Sequence, residues 1–195
     1  MTGPTDFPGF EEIAAAVQCR LENRPQVVLA IDGRCGAGKS TFAGLLAARL
    51  SGRVARADDF FLRPEQRTPQ RLEQPGGNID YERMKTELID CIAPGELRYT
   101  PFDCSVWQLG RPVCLPPARL TIVEGAYSLH PYFGRYWDLA VFITADVETR
   151  LERIAARKGH NNVEMFRTRW IPLEERYLAA CGVEQKADFI VNTGR

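Results

Sequence analysis

The sequence lacks several features that would assign it to a specialised class of protein. Its longest apolar runs are about five residues, far short of the roughly 20 needed to cross a bilayer. No basic tract is present, and the 25 basic side chains are balanced by 25 acidic ones, so neither a membrane nor a nucleic acid is an expected partner. The six cysteines include no C-x-x-C pair, so neither a zinc site nor a disulfide framework is expected. The beginning of the chain shows no charged-then-apolar signal pattern, and we expect a cytoplasmic protein.

The remaining composition is that of an ordinary globular protein, with 45% hydrophobic and 26% charged residues. A chain of 195 residues suits one domain, which we take to be residues 1–195. Within it we expect an N-terminal helical segment (1–25), substrate-binding insertions (62–117) and a lid region (150–165). The N-terminal helix is predicted because apolar residues recur there at helical spacing, at Phe10, Ile13, Ala14, Val17 and Leu21.

Residues 33–41 read GRCGAGKST, which matches the phosphate-loop pattern G-x-x-x-x-G-K-[ST] in full. An apolar run (27–31) precedes this segment and a helical pattern follows it, which is the context that a phosphate loop requires. Lys39 would reach the β- and γ-phosphates of ATP, and the Ser40 hydroxyl would ligate Mg²⁺. The residues expected to bind the nucleotide are Gly33, Cys35, Gly36, Ala37, Gly38, Lys39, Ser40 and Thr41.

Short apolar runs alternate with helical patterns along the rest of the chain. Strands are predicted at 27–31, 54–57, 120–123, 139–143 and 189–191. This alternation predicts an α/β fold of the P-loop NTPase type, a three-layer α/β/α sandwich with a five-stranded parallel sheet. Residues 62–78 are predicted to form a loop, and residues 97–117 a small β-hairpin around Gly110.

Acidic residues follow two of the predicted strands. Asp58 and Asp59 stand where a carboxylate could face the γ-phosphate, and because neighbouring residues point in opposite directions we expect only one to enter the site. Glu124 would assist Mg²⁺ binding, although a salt bridge beside a loop would also explain it. Asp80 precedes a helical pattern, so helix capping alone could account for it.

Three arginines are expected to share one face of a helix that begins near Asp146, with Leu151, Ile154 and Ala155 on the opposite face. They are Arg150, Arg153 and Arg157. The helix runs into residues 158–162, a polar break that could act as a flexible lid, although a solvated surface would explain the arginines equally well.

Taken together, several segments resemble the uridine kinase family, which includes nicotinamide riboside kinases and is related to phosphoribulokinase and pantothenate kinase. The resemblance covers about residues 26–192. The segments that carry it are GRCGAGKST, ADDFF (57–61), GGNID (76–80), TPFD (100–103), IVEGAY (122–127), ADVETRLERIAARK (145–158) and KADFIV (186–191).

The resemblance implies a role for several residues. Asp58 would deprotonate the acceptor hydroxyl, and Asp80 would bind two sugar hydroxyls. Phe102 would contact the base, and Glu124 would be the acid on the metal side. Arg153 and Arg157 are similar to lid arginines, which completes a catalytic set of Lys39, Asp58, Arg153 and Arg157.

The sequence also departs from the family. A histidine that helps uridine kinases to recognise the pyrimidine is replaced by Trp107, which can stack but cannot accept a hydrogen bond. KGHNN (158–162) replaces the family's longer arginine-rich lid. ADDFF is closer to the nicotinamide riboside kinases, and an aromatic pocket would suit a flat cationic base.

We therefore expect an ATP- and Mg²⁺-dependent kinase that phosphorylates the 5′-hydroxyl of a small nucleoside, with self-association left open. Arg63, Arg67 and Arg71 leave open an anionic acceptor such as a sugar phosphate, and a pantothenate-like alcohol is a further alternative. Among proteins that are not kinases, a P-loop protein that only senses ATP remains an alternative. A GTPase switch lacks its N-K-x-D motif here, and an AAA-type motor would need a helical lid domain for which 195 residues leave little room.

Overall fold

The computed structural model of the protein describes residues 7–159 and 163–194. Its strands are β1 (Val27–Gly33), β2 (Arg53–Arg56), β3 (Leu97–Tyr99), β4 (Phe102–Asp103), β5 (Gln108–Leu109), β6 (Val113–Leu115), β7 (Leu120–Glu124), β8 (Leu139–Thr144) and β9 (Phe189–Asn192). Five of them form one fully parallel sheet in the order β2-β7-β1-β8-β9. All five strands expected from the apolar runs therefore belong to this sheet.

The helices surround the sheet. They are α1 (Phe10–Asn23), α2 (Lys39–Leu50), α3 (Pro69–Glu73), α4 (Tyr81–Glu87), α5 (Val147–Lys158), α6 (Val163–Met165), α7 (Ile171–Cys181) and α8 (Val183–Lys186), with a π-helical turn at Phe166–Trp170 between α6 and α7. The buried residues of α1 are the five that the helical spacing predicts. Along the described ranges, no helix is both long enough and apolar enough to span a membrane.

Each face of the sheet is covered by its own apolar core. On one face α1 and α2 pack through side chains such as Phe10, Phe42 and Leu46. On the other face, Met84 of α4 and Tyr177 of α7 pack against the sheet. Because both faces are covered, every residue of β1 is buried, which explains why its sequence is a continuous apolar run and not an alternating one. The predicted three-layer α/β/α architecture is confirmed.

The strand register aligns the carboxyl ends of the central strands. Ile31 of β1 lies opposite Glu124 of β7, and Glu124 lies opposite Arg56 of β2. On the other side of β1, Gly33 lies opposite Ile143 of β8. The segments that follow β1, β2 and β7 therefore meet at one edge of the sheet, where ligands bind in folds of this class.

The two insertions differ in detail from the sequence-based expectation. Residues 97–115 form two short antiparallel ladders, β3 with β6 and β4 with β5, and the inner turn lies at 104–107 instead of at Gly110. Residues 62–78 are not all loop, because a 3₁₀ turn (Pro64–Gln66) and the short helix α3 interrupt them. Proline occupies the first position of both the 3₁₀ turn and α3, where it favours the start of a helix. Assigning the whole segment to a loop overlooks this signal.

Candidate functional site

The phosphate loop joins β1 to α2 and requires its glycines. Gly33, Gly36 and Gly38 have positive φ angles of 128°, 77° and 100°. A Cβ built on Gly33 would lie 2.0 Å from the carbonyl oxygen of Ile143, and one on Gly36 would lie 2.8 Å from that of Arg150. No larger residue fits at either position. The loop therefore depends on glycine for its conformation and for its close approach to β8 and α5.

Lys39 extends into the curve of the loop. It is buried, and its Nζ donates to the carbonyl oxygens of Gly33 at 2.7 Å and Arg34 at 3.0 Å. The ammonium group is thus held beside the loop amides at the start of a twelve-residue helix, whose N-terminus adds partial positive charge. This arrangement is suited to binding an anion.

Ser40 and Glu124 form a polar pair next to the loop. The Ser40 hydroxyl donates to Glu124 Oε2 at 3.2 Å, and Glu124 is buried at the end of β7. Burial raises the pKa of Glu124, and the nearby Asp58 carboxylate raises it further. A hydroxyl and a carboxylate are oxygen ligands of the kind that Mg²⁺ prefers, so these two residues would suit Mg²⁺ beside the phosphate loop.

The two acids that follow β2 lie in different surroundings. Both belong to a 3₁₀ turn, Ala57–Phe60, but Asp59 Oδ2 accepts from the Tyr99 hydroxyl at 2.9 Å. Burial raises the pKa of Asp59. Asp58 instead faces Gly125, since its Oδ1 lies 3.2 Å from where a Cβ on that glycine would be. Asp58 is therefore the acid of the pair beside Glu124.

Asp80 uses one carboxylate oxygen for capping and keeps the other unbonded. Its Oδ1 accepts from the Arg83 amide at 3.1 Å, which caps α4. Its Oδ2 is buried and accepts no hydrogen bond among the described residues, although the Nε atoms of Arg83 and Arg63 lie 3.7 and 3.9 Å away. Capping therefore uses only one of the two carboxylate oxygens of Asp80. The buried Oδ2 remains available to accept a hydrogen bond from a ligand.

The aromatic pair of the insertion differs from a simple stacking platform. Phe102 is buried on β4, whereas Trp107 is half exposed in the turn, with ring centroids 6.3 Å apart in an edge-to-face arrangement. The guanidinium of Arg67 lies 5.3 Å from the Trp107 ring and 5.7 Å from the Trp170 ring. A flat cation of the protein itself therefore already covers the face of Trp107.

The arginines of the 62–78 segment do not act as one cluster. Arg71 donates to both carboxylate oxygens of Glu82 at 2.7 Å and to the backbone of Gly77 and Ile79. It therefore has a structural role between α3 and α4. Arg63 and Arg67 remain closer to Asp80 and to the aromatic pair.

The prediction that Ile154 lies on the face of α5 opposite the three arginines is wrong. Arg150 is buried on the same side as Ile154, whereas Arg153 and Arg157 are exposed. Arg153 donates to the hydroxyl and the carbonyl oxygen of Thr193 at 2.8 and 2.9 Å and approaches the Gly36 carbonyl at 3.5 Å. The i, i+4 spacing places Arg150 next to Ile154 on the apolar face of α5. A charged side chain can be buried there because it is paired with a buried carboxylate, Glu174. Residues 160–162, which belong to the polar break predicted to act as a lid, lie outside the described residues.

Two acidic residues of the site were not anticipated from the sequence. Asp32 accepts from the amides of Gly33, Tyr127 and Leu129 and from the Tyr177 hydroxyl, at 2.6 to 3.2 Å. In the sequence, an aspartate that directly follows an apolar run could have indicated a buried hydrogen-bond acceptor at this position. Glu174 of α7 accepts from the Cys35 amide of the phosphate loop, a contact that no local pattern indicates.

The other predicted loop residues are Ala37, whose carbonyl accepts from Thr193, and the exposed Thr41.

Comparisons with known proteins agree with this geometry. A protein-family model described as "AAA domain" matches residues 29–169. Uridine-cytidine kinase C of Dictyostelium discoideum is 26% identical over 136 residues, which cover 69% of this chain and 30% of the relative. Uridine-cytidine kinase D of the same organism is 26% identical over 145 residues, which cover 73% of this chain and 29% of the relative. The chain thus spans about 30% of the length of these curated relatives.

Solved structures share the fold. A protein described as a possible uridine kinase from Bacillus stearothermophilus superposes with a TM-score of 0.66 at 18% identity, over 92% of this chain and 98% of that chain. YFH7 of Saccharomyces cerevisiae gives a TM-score of 0.66 at 14% identity, over 95% of this chain and 98% of that chain. At such identities the similarity shows the P-loop fold, in accordance with the predicted architecture.

Proposed function

Because the chain belongs to the family of P-loop proteins described as "AAA domain", we propose that it binds ATP and transfers the γ-phosphoryl group to a hydroxyl of a small molecule. The observation that carries the proposal is the complete phosphate loop, with Lys39 inside it, next to carboxylates at the ends of two neighbouring strands. A module that only bound nucleotide would not require Asp58, Asp80 and Glu124 around one edge of the sheet.

Each residue has a distinct task in this reaction. The loop amides and Lys39 bind and orient the ATP phosphates, and Ser40 with Glu124 would hold Mg²⁺, which neutralises charge between the phosphates when bound. Asp58 accepts the proton of the attacking hydroxyl. Arg153 and Arg157 of α5 supply positive charge from the lid side, as the family resemblance implies.

For the acceptor we propose a nucleoside that is phosphorylated on its 5′-hydroxyl, either uridine- or cytidine-like or nicotinamide riboside-like. The unbonded Oδ2 of Asp80 supports this choice because a buried carboxylate oxygen suits a sugar hydroxyl. Phe102 and Trp107 would form the wall of the base pocket, with Arg67 between the two tryptophan rings. The names of the curated relatives, two uridine-cytidine kinases, support the same acceptor.

Other functions remain candidates for specific reasons. The description of the family model favours an ATPase that needs no acceptor, yet the described residues contain no separate helical domain of the kind an AAA-type motor uses. The arginines near Asp80 favour a sugar phosphate, although Arg71 is committed to Glu82. A pantothenate-like alcohol has no specific contact in its favour.

The test is acceptor-dependent ADP release. Wild-type protein is assayed with MgATP and a panel of nucleosides, pantothenate and sugar phosphates, alongside Lys39→Ala and Asp80→Ser. We expect turnover with a ribonucleoside, a loss of about two to three orders of magnitude in kcat/KM for Lys39→Ala, and normal melting temperatures. Asp80→Ser keeps a capping side chain but loses a carboxylate whose charge-assisted bonds are worth roughly 1.5–3 kcal/mol each, so the acceptor KM should rise at least tenfold at constant KM for ATP.

The outcomes separate the candidates. ADP release that is equally fast without any acceptor would replace the kinase assignment with an ATPase. Turnover only with sugar phosphates would correct the acceptor and leave phosphoryl transfer in place. An unchanged acceptor KM in Asp80→Ser would reduce Asp80 to a helix cap.

A further inference from the structure

A carboxylate of the protein itself lies in the phosphate loop. Glu174, in the first turn of α7, is 3% exposed, and both of its carboxylate oxygens lie 2.9 Å from the Cys35 amide nitrogen. Cys35 is the third residue of the GRCGAGKST segment. One of the loop's backbone donors is thus already bonded to an anionic group from a distant part of the chain.

The surroundings of Glu174 are those of a bound anion. Arg150, which is 4% exposed, places its Nη1 atom 3.5 Å from Glu174 Oε1. Arg150 Nε and Nη1 are buried and donate no hydrogen bond to the described residues. Burial raises the pKa of Glu174, and the positive charges of Lys39 and Arg150 oppose that rise. The carboxylate therefore sits among the cations that a phosphate would need.

We propose that Glu174 is an internal anion that competes with the nucleotide phosphates for the loop, and that Arg150 transfers from this carboxylate to the phosphate that replaces it. A backbone N–H has one hydrogen to donate, so the Cys35 amide bonds well to the carboxylate or to a phosphate oxygen, but not to both. The two unbonded Arg150 nitrogens then gain acceptors when phosphate is present. The nucleotide part of this inference rests on the proposed function, whereas the competition between anions does not.

Neighbouring pairs hold α7 in place without using the loop amide. Glu175 accepts from Arg34 Nε at 2.8 Å and from Arg34 Nη2 at 3.0 Å, so α7 stays docked when the Glu174 side chain is neutralised. Glu184 lies 3.9 Å from Arg34 and is partly exposed. It carries the same charge close to the loop without touching the Cys35 amide, so it provides a matched control.

The experiment measures dissociation constants by titration calorimetry for ATP and for inorganic tripolyphosphate, without an acceptor. The proteins are wild type, Glu174→Gln, Glu174→Met and Glu184→Gln, each checked by its melting temperature. We expect both Glu174 variants to bind both probes about tenfold more tightly, and Glu184→Gln to stay within about twofold of wild type. Adding Arg150→Gln to Glu174→Gln should reverse the gain, because the phosphate then loses the cation that the carboxylate released.

Each outcome decides a different point. Unchanged or weaker binding of both probes in folded Glu174 variants would overturn the inference and make Glu174 an organiser of the loop. An equal gain in Glu184→Gln would also overturn it, since general charge would then explain the effect. If no protein binds ATP but the Glu174 variants bind tripolyphosphate more tightly, the proposed function fails and the internal anion stands.

Discussion

At the scale of single residues, Asp58 and Asp59 are adjacent in sequence but face different neighbours. Asp58→Asn should reduce phosphoryl transfer by about two to four orders of magnitude and leave ATP binding intact, because an amide cannot take the proton of the acceptor hydroxyl. Asp59→Asn should have a small effect, since asparagine can still accept from the Tyr99 hydroxyl. Steady-state kinetics together with ATP titration measure both quantities.

Tyr99→Phe is the control for this pair, because it removes the Asp59 hydrogen bond without changing either acid. We expect Tyr99→Phe, like Asp59→Asn, to change the rate of phosphoryl transfer little, although only Tyr99→Phe removes the hydrogen bond. If Asp59→Asn were more damaging than Asp58→Asn by tenfold or more, the base would be Asp59 and the Tyr99 bond would be part of the active site.

The place of the loop between β1 and α2 could be predicted from the sequence because it depends on a local backbone shape. Gly33, Lys39 and Ser40 need only each other and the following helix. The contacts of Arg150, Glu174 and Arg67 depend on residues far along the chain, and a single sequence carries no local trace of them. Ile154 was placed opposite Arg150 because charged and apolar side chains are assigned to different faces of a helix unless buried partners of the charge are known.

At the scale of elements, the turn between α3 and α4 positions the cap of α4. A Cβ built on Gly77 would lie 1.8 Å from the Arg71 carbonyl oxygen, so Gly77→Ala must displace this turn and Asp80 with it. We expect Gly77→Ala to destabilise the fold by about 1–3 kcal/mol. Denaturant titration measures the free energy of unfolding.

Gly44, on the exposed side of α2, is the matched control. Nothing lies within 4 Å of a Cβ built there, and its φ angle is ordinary for a helix. Gly44→Ala should therefore stabilise the protein by about 0.5–1 kcal/mol, the opposite sign to Gly77→Ala. Destabilisation by both changes would show that α2 does not tolerate a larger residue despite the open space.

Elements with a long, regular pattern were predicted more reliably than short ones. The strands of the sheet and α1 were found because apolar residues repeat over three or more positions, with small errors at the ends. Helix α3 and the two short ladders of residues 97–115 contain too few residues for a period to show, so their form depends on packing against the rest of the molecule.

At the scale of the whole molecule, His130 joins segments that are distant in sequence. Its ring stacks on Tyr81 at 4.7 Å and on Tyr177 at 5.8 Å. Nδ1 accepts from the Tyr132 amide at 3.2 Å, so Nε2 is the nitrogen that donates to the Pro75 carbonyl at 3.3 Å. Burial lowers the pKa of His130 to about 4, with the charges of Arg71 and Lys186 acting in the same direction.

This pKa predicts how stability changes with pH. The unfolded chain binds a proton on His130 below about pH 6.5, whereas the folded protein does so only near pH 4, so acidification between these values favours unfolding. The effect reaches at most about 3 kcal/mol. The free energy of unfolding of wild type minus that of His130→Gln should decrease from pH 7 to pH 4.

The difference between the two proteins is the quantity to measure, because buried carboxyls such as Asp32 and Glu124 have raised pKa values and act in the opposite direction in both. A difference that stays constant from pH 7 to pH 4 would show that His130 already titrates normally in the folded protein.

The position of Cys35 in the loop has a practical consequence for chemical labelling. Burial, followed by the negative charge of Glu174, raises the pKa of the Cys35 thiol to about 12. At neutral pH only about one such thiol in 10⁵ is then the reactive thiolate. Alkylating reagents should therefore modify exposed thiols such as Cys19 and Cys91 first. Fluorescent probes can thus be attached to the surface while the loop cysteine stays intact.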